Sequence, residues 1–237
     1  MSTSLHLIIA LVAAHLLADF VFQSKRMAER KRNPLVLFAH AGVAGALAYL
    51  LTGAWRVWEI PVVIAVTHGL IDFIKVRLNR KGLLLFTIDQ IAHVAVIVVL
   101  ARWLQLAPFV LHWVARFGDR VSSMLIVMSG AITVTVVSGV VVENFVKSLQ
   151  TPESGVGNSG FPTGGARIGQ LERILVFILF LIGQPGAIGF LVAAKSILRF
   201  GELKEDRREA EYVIIGTMWS LVCALLVTLA TRWALRL

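Results

Sequence analysis

Long apolar stretches dominate this chain and limit what it can fold into. Of its 237 residues, 57% are hydrophobic and 16% are charged, whereas soluble domains carry about 25% charged residues. Stretches near the ~20 residues that cross a bilayer as a helix occur at residues 5–23, 35–51, 57–75, 83–104, 122–146, 171–198 and 212–233. We therefore predict an all-α, polytopic membrane bundle of about six to seven transmembrane segments.

Histidine and aspartate recur at helical spacing inside the first four stretches. Three His/Asp pairs are separated by four residues, which places both side chains of a pair on one helix face, and one histidine stands alone. In chain order the seven residues are His15, Asp19, His40, His68, Asp72, Asp89 and His93. Ionisable groups inside a membrane segment cost about 2.5–3.5 kcal/mol each on insertion scales and usually mark a functional site. We interpret the seven as a functional site.

The alternation of consecutive helices predicts that these seven side chains meet near one membrane face. With a rise of 1.5 Å per residue, all of them fall within roughly 15 Å of that face, whichever way the chain is oriented. Imidazole and carboxylate groups from several helices are typical of a metal site in a bundle. We predict one or two divalent cations, Zn, Mn or Mg. The alternative is a set of His–Asp hydrogen bonds that joins the helices.

Several residues have predicted roles around such an ion. One carboxylate would act as general base in metal-assisted hydrolysis, and the candidates are Asp19, Asp72 and Asp89. Three polar neighbours are predicted to contact a substrate or to hold a ligand, namely Gln23, Lys75 and Gln90. An alternative for Lys75 is that it extends to the membrane interface. His6 and His112 are predicted to lie at the opposite face.

The net charge of +9 is explained by topology rather than by nucleic-acid binding. Basic residues concentrate in the short connections at residues 25–32 and 75–81, and such loops mark the cytoplasmic side of a membrane protein. The N-terminus is therefore predicted to lie outside. The single cysteine, Cys223, excludes an intramolecular disulfide.

The C-terminal part of the chain is predicted to form a second half. We divide the chain into an N-terminal four-helix half, residues 1–120, and a C-terminal half, residues 121–237, with a glycine-rich loop at 151–169. The sixth apolar stretch, 171–198, is interrupted by Gly-Gln-Pro-Gly at 183–186, and this composition breaks or kinks a helix. The stretch is either a re-entrant hairpin or a long kinked span.

The polar motifs resemble those of a bacterial inner-membrane family designated domain of unknown function 3307. In the N-terminal half the resemblance is carried by His15-Leu-Leu-Ala-Asp19-Phe with Gln23, by Thr67-His68-Gly-Leu-Ile-Asp72 with Lys75, and by Asp89-Gln90-x-x-His93. The C-terminal half resembles the extended members of this family. The motifs are Leu171-Glu172-Arg173, Lys195-Ser196 with Arg199-Phe200, and Glu211-Tyr212 with Gly216-Thr217. The resemblance implies location in a bacterial inner membrane, and no activity.

Charged residues of the C-terminal motifs stand at predicted span ends. They are Glu172, Arg173, Lys195 and Arg199. One interpretation is a network of salt bridges at helix ends. The other is a clamp for the anionic group of a substrate, because arginine binds phosphate and carboxylate groups in a bidentate manner.

Three functions of different class fit these patterns. The first is a metal-dependent hydrolase of a lipid-linked or anionic phosphate or ester. The alternative is a transporter or channel for a divalent cation or protons, or a non-catalytic membrane scaffold with a structural polar network. Membrane lipid is the expected partner, nucleic acid is not, and a homo-oligomer is compatible with the sequence.

Overall fold

The computed structural model describes residues 1–78, 82–105, 109–149, 164–199 and 207–236. Every regular element in these ranges is helical, which confirms the predicted all-α fold. The first seven helices are α1 (Thr3–Phe20), α2 (Lys25–Glu29), α3 (Pro34–Thr52), α4 (Glu59–Leu78), α5 (Leu83–Leu104), α6 (His112–Phe117) and α7 (Asp119–Ile132). A π-helical segment (Thr133–Val137) follows, and then α8 (Ser138–Leu149), α9 (Gly164–Leu181), α10 (Gly186–Arg199) and α11 (Arg207–Ala234).

Within the described ranges, five helical stretches are long and apolar enough to cross a membrane. They are Thr3–Phe20, Pro34–Thr52, Leu83–Leu104, Asp119–Leu149 and Glu211–Ala234. The stretch predicted at residues 57–75 forms the 20-residue helix α4, but its charged residues, among them Asp72 and Lys75, keep it out of this group. The chain is therefore a multi-pass helical membrane protein.

Contacts between helices divide the described chain into two compact units. The first unit, Met1–Ile132, contains α1 to α7, and the second, Thr133–Arg236, contains the π-helical segment and α8 to α11. Within the first unit, α7 packs against α1. The division into functional halves at residue 120 stays a prediction.

The first unit is a bundle of α1, α3, α4 and α5 whose two ends differ in polarity. Buried apolar side chains fill the end formed by the start of α1 and the end of α5, including Leu7, Leu11, Ile97 and Leu100. Small residues bring α3 and α4 together, since a Cβ on Gly45 would lie 2.6 Å from the carbonyl oxygen of Pro61. Such close approach is typical of membrane helix pairs. This close approach of α3 and α4 allows the side chains of His40 and His68 to meet at the other end of the pair.

Helix ends in this unit follow local sequence signals. The Asn33 side chain accepts a hydrogen bond from the backbone N–H of Leu35, and Pro34 occupies the first helical position of α3, where its missing N–H costs nothing. The Ser2 side chain accepts from the N–H of Leu5 and caps α1 in the same way. These caps determine where the helices that carry the polar residues begin.

The second unit contains the predicted break in the sixth apolar stretch. Helix α9 ends at Leu181 and α10 begins at Gly186, with Gly183 at φ 78°, a conformation that favours glycine. Lys195 in the second half of α10 donates to Glu172 in the first half of α9 at 2.5 Å. The two helices are therefore antiparallel and form a hairpin, and the long kinked span is wrong.

The predicted glycine-rich loop at 151–169 differs from the structure at its end. Residues 164–169 already form the first turns of α9, because three glycines do not prevent a helix that is continued by a long apolar segment. The part of that prediction covering residues 151–163 lies outside the described residues.

Candidate functional site

The seven predicted histidines and aspartates converge at one end of the first unit. The ends of α1 and α4 and the beginnings of α3 and α5 meet there, and all seven residues are buried. Two groups share this end of the bundle. The His40 group consists of Asp19, His40, His68 and Asp72, and the His93 group consists of His15, Asp89 and His93.

Three atoms of the His40 group form a nearly equilateral triangle. The Nε2 atoms of His40 and His68 lie 2.9 Å apart, and Asp19 Oδ1 lies 3.2 Å from the first and 3.1 Å from the second. The three residues come from α1, α3 and α4 and offer ligand atoms close enough to share one cation. Three electron-rich atoms at this separation need a proton or a cation between them.

Asp72 lies beside this triangle and is paired with a lysine. Its Oδ2 atom is 3.4 Å from Nε2 of His40 and 3.6 Å from Nε2 of His68. The ammonium group of Lys31 approaches the same oxygen to 2.6 Å, and both side chains are buried. Asp72 therefore faces the triangle while its charge is balanced by a lysine.

The His93 group is organised by two residues next to it. Lys75 donates to Asp89 Oδ2 at 2.6 Å, and the side-chain amide of Gln90 donates to the same oxygen at 3.0 Å. The other end of that amide, Oε1 of Gln90, lies 3.2 Å from Nε2 of His15. The Nδ1 of His93 lies 2.8 Å from the backbone carbonyl oxygen of Asp89. The rings of His15 and His93 stack with centroids 4.7 Å apart.

Several buried polar atoms at this end of the bundle have no hydrogen-bond partner among the described residues. They are Nδ1 of His15, Oε1 of Gln23, Nδ1 of His40, Oδ1 of Asp89 and Nε2 of His93. Buried polar atoms are nearly always paired, and each unpaired one costs about 1–3 kcal/mol. Their concentration here indicates that the protein leaves polar atoms open for a bound species.

The charges of the cluster favour a cation. Three buried carboxylates, on Asp19, Asp72 and Asp89, face the two ammonium groups of Lys31 and Lys75. With neutral imidazoles, one net negative charge is left at this end of the bundle. In a low-dielectric environment an unbalanced charge is unfavourable, so a bound cation or proton would improve the balance.

The three polar neighbours predicted from the sequence all contact the cluster. Lys75 and Gln90 bind Asp89, as described above, so Lys75 does not extend freely to the interface. Gln23 donates from Nε2 to the backbone carbonyl oxygen of Asp19 at 3.3 Å. A role for these residues in substrate binding stays a prediction.

Lys31 is the residue that sequence analysis did not assign to the site. It stands in a run of basic residues, and nothing in the local pattern distinguishes it from Arg30 or Arg32. The short helix α2 and the turn after it bring Lys31 under α4, where its exposed fraction is only 7%. A buried lysine requires a carboxylate partner, but the sequence alone does not tell which lysine is buried.

Three of the charged residues predicted at the C-terminal span ends have polar partners within the second unit, namely Glu172, Arg173 and Lys195. Arg173 is buried and donates from Nε to the carbonyl oxygen of Val134 at 2.8 Å, from NH1 to Ser220 Oγ at 3.1 Å and from NH2 to the carbonyl oxygen of Thr135 at 3.0 Å. It thereby donates to two carbonyl oxygens of the π-helical segment.

These contacts give the donors of Arg173 protein partners, and its role as an anion clamp stays a prediction. Glu172 and Lys195 bind each other, as the alternative interpretation of these residues expects. The side chain of Arg199 lies outside the described part of the chain.

The remaining histidines of the first unit lie away from the cluster. His6 contacts Ser122 Oγ at 2.6 Å and Asp119 Oδ1 at 3.2 Å, and Nδ1 of His112 lies 2.8 Å from the carbonyl oxygen of Gly53. Both have partners and neither joins a group that could hold a cation. His6 therefore offers a matched control for substitutions in the cluster.

The fold and the cluster together define a multi-pass helical membrane protein with a buried His/Asp centre in its N-terminal unit. Residues 7–118 match the family model described as "Protein of unknown function (DUF3307)", and this region belongs to that family. The matched region contains all seven histidines and aspartates. No curated protein and no solved structure matches the chain significantly.

Proposed function

We propose that the N-terminal unit binds a divalent metal cation and acts as a metal-dependent hydrolase on a lipid-linked or anionic phosphate or ester. The observation that carries the proposal is the triangle of Asp19 Oδ1, His40 Nε2 and His68 Nε2. A cation about 2.0–2.2 Å from each ligand spaces tetrahedral ligands by about 3.4 Å. The observed separations of 2.9–3.2 Å require only a small expansion.

The chemistry of the donor set also fits a catalytic rather than a purely structural ion. Two imidazoles and one carboxylate suit Zn²⁺ or Mn²⁺. Structural zinc sites are closed by four protein ligands, whereas catalytic sites have three and keep a position for water. Asp72 faces the triangle but is not one of its corners, which leaves it available for proton transfer.

Hydrolysis at this site assigns distinct tasks to its residues. A cation held by Asp19, His40 and His68 would supply Lewis acidity and activate a water molecule for attack. Asp72 accepts the proton of the attacking water, whose oxygen forms a bond to the phosphorus or carbonyl carbon. The bond to the leaving oxygen breaks, and that oxygen receives the proton that Asp72 accepted. Lys31, at 2.6 Å from Asp72, is placed to balance the anionic charge of the substrate.

The distribution of apolar residues favours a hydrolase over a transporter. A transport path would need polar groups through the whole bundle. Between the cluster and the opposite end, however, the described residues of the bundle pack an apolar core that includes Leu7, Leu11, Ile97 and Leu100. This arrangement supports a site that is reached from one end only.

Metal analysis of the purified protein tests the binding step. Wild type should retain close to one or more equivalents of Zn²⁺ or Mn²⁺ after gel filtration, and His68→Ala should lose them. His6→Ala is the matched control, because His6 is equally buried and lies outside the cluster, and it should retain the metal. Wild-type protein that binds no divalent cation would refute the proposal.

A second assay separates hydrolysis from binding alone. The protein is reconstituted in phospholipid vesicles, and the release of phosphate or fatty acid is measured with and without added metal. We expect metal-dependent release that is lost in Asp72→Asn, although this variant should retain the cation. Movement of the cation across the vesicle membrane without any release would favour the transporter instead.

We also propose that this end of the bundle faces the cytoplasm of a bacterial inner membrane. Lys31 and Lys75 of the two basic connections contact Asp72 and Asp89 of the cluster, and basic loops remain on the cytoplasmic side. An Asn33→Cys substitution in a Cys223→Ser background tests this orientation. Reaction with a membrane-impermeant thiol reagent added to intact cells would contradict it.

A further inference from the structure

The His93 group has hydrogen-bond donors on one side and open acceptors on the other. Both Lys75 and Gln90 donate to Oδ2 of Asp89, whereas Oδ1 of the same carboxylate is buried without a partner. This asymmetry means that the carboxylate is held by one oxygen and can offer the other to a ligand.

The hydrogen bonds around Gln90 determine the protonation of His15. Because the Gln90 amide nitrogen donates to Asp89, its oxygen faces His15 and can only accept. The Nε2 of His15, 3.2 Å away, must therefore carry the proton. In the neutral ring Nδ1 is then a lone pair, and it is buried without a partner.

His93 is oriented in a comparable way. Its Nδ1 lies 2.8 Å from a backbone carbonyl oxygen, which accepts only, so the proton is on Nδ1 and Nε2 is a lone pair. That atom is also buried and unpaired. Metal-binding histidines commonly donate their other ring N–H to a carbonyl oxygen, which orients the ring. The His93 group thus contains three acceptors that lack a hydrogen-bond donor among the described residues.

From these contacts we propose that the His93 group binds a second divalent cation, with Asp89 Oδ1 and His93 Nε2 as ligands, with Asp19 shared between the two cations, and with His15, which can share a cation with His93, as a further ligand through Nδ1. Asp19 offers ligand atoms both to the His40–His68 pair and to the Asp89–His93 pair. This proposal rests on the proposed function for the first cation. Two-metal sites with a shared ligand are common in hydrolases of phosphate esters.

The charge balance then identifies the class of substrate. With neutral imidazoles the cluster carries one net negative charge, so two divalent cations leave three net positive charges. This surplus is unfavourable in a membrane unless anions enter with the cations. A phosphate group carries about two negative charges near neutral pH, which makes it a better match than a neutral ester. The second cation and a phosphate group should therefore bind together.

A Mn²⁺ titration followed by electron paramagnetic resonance tests the proposal on the full-length protein in detergent. With inorganic phosphate present, wild type should bind two equivalents and give the spectrum of a magnetically coupled pair. His93→Leu should bind one equivalent and give the spectrum of an isolated ion, whereas the control His6→Leu should still bind two. Wild type that saturates at one isolated ion would overturn the second site and leave the proposed function intact. The absence of any bound Mn²⁺ would refute both.

A second variant covers the case in which His93→Leu does not fold, as judged by circular dichroism. Gln90→Leu removes a residue that positions His15 and Asp89 without being a ligand. The substitution should lower the affinity for the second equivalent of Mn²⁺ about 10-fold or more and leave the affinity for the first equivalent unchanged. Equal weakening of both equivalents, or of neither, would contradict the assignment of the His93 group.

The last part of this experiment varies the source of phosphate and measures binding of the second Mn²⁺. Omitting phosphate should weaken the second equivalent of Mn²⁺ about 10-fold in wild type. Phosphatidic acid vesicles and inorganic phosphate are compared, with phosphatidylcholine vesicles as the control, because a lipid headgroup and free phosphate share the same chemistry. Restoration by phosphatidic acid alone identifies a lipid phosphate, and restoration by inorganic phosphate identifies a soluble one. No effect of either would refute phosphate as the substrate class.

Discussion

The two units bury similar residues but satisfy them differently. In the second unit the donors of Arg173 meet two carbonyl oxygens and the hydroxyl of Ser220, and Lys195 pairs with Glu172. In the first unit the lysines also find carboxylates, yet acceptor atoms remain open on the histidines and on Asp89. A satisfied network joins helices, whereas an unsatisfied one of the same composition is suited to bind a ligand.

This difference shows why residue type alone does not identify a membrane site. Arginine and lysine at span ends were candidates for substrate binding in the second unit, and the structure gives Arg173 internal partners. The number of acceptors that lack a donor distinguishes a structural network from a ligand-binding site, because buried polar atoms are rarely left unpaired. Substitutions in the two units should therefore affect different properties.

The largest effect should follow Arg173→Ala in the second unit. It removes the donor to the carbonyl oxygen of Val134 and to the hydroxyl of Ser220, at a cost of about 1–3 kcal/mol for each unpaired group. We expect the free energy of unfolding in detergent to fall by about 3 kcal/mol or more, with metal content per folded protein unchanged. The exposed Arg167 lies on the same helix, and Arg167→Ala should have no such effect. Loss of metal in Arg173→Ala would break the comparison.

The next effect should follow Asp19→Asn in the first unit. The substitution removes the charge of the carboxylate that both groups share while keeping its shape. We expect the affinity for Mn²⁺ to fall about 100-fold, at the upper end of the effects seen for groups around a metal, with little change in stability of the metal-free protein. Isothermal titration measures the affinity, and the exposed Asp119 supplies the control Asp119→Asn. An unchanged affinity would show that the triangle is a structural network.

A smaller effect should follow Gln90→Ala when overall metal-dependent activity is measured. Gln90 orients His15 and Asp89 by hydrogen bonds, and loss of such an outer partner costs about 10–100-fold in affinity or activity. We expect about a 30-fold loss at limiting metal that excess metal largely restores. A loss that excess metal does not restore would mean that Gln90 contacts the substrate.

The smallest effect should have the opposite sign and follow Lys31→Met. The ammonium group of Lys31 lies 2.6 Å from Asp72 and repels a cation bound beside it. Its removal should tighten binding of the first Mn²⁺ about 10-fold, or about 1.4 kcal/mol. The metal-free protein should become less stable, because Asp72 loses its partner. Lys25→Met, in the exposed part of the same connection, should change neither. Weaker metal binding in Lys31→Met would mean that the lysine supports the site.

Much of the fold could be predicted because membrane insertion imposes a local rule. Each helix must satisfy its own backbone and expose apolar side chains to lipid, so length and composition identified the long apolar helices. The break at residues 183–186 was also visible locally, since glycine and proline interrupt a helix. The sequence did not show whether the two halves of the broken stretch continue in one direction or fold back on each other. That depends on the contact between Glu172 and Lys195, which are distant in sequence.

The candidate site, like the fold, could be predicted from the sequence only in part. The sequence by itself determined which seven histidines and aspartates share a face and a depth, because helical periodicity and chain alternation are properties of the order of residues. Only the tertiary structure decided that Lys31 is buried against Asp72 and that Arg173 binds the π-helical segment. It also decided which acceptor atoms remain open. The physical reason is that a hydrogen bond or an ion pair requires two atoms within about 3 Å, and residues distant in sequence reach that separation only when the helices have packed.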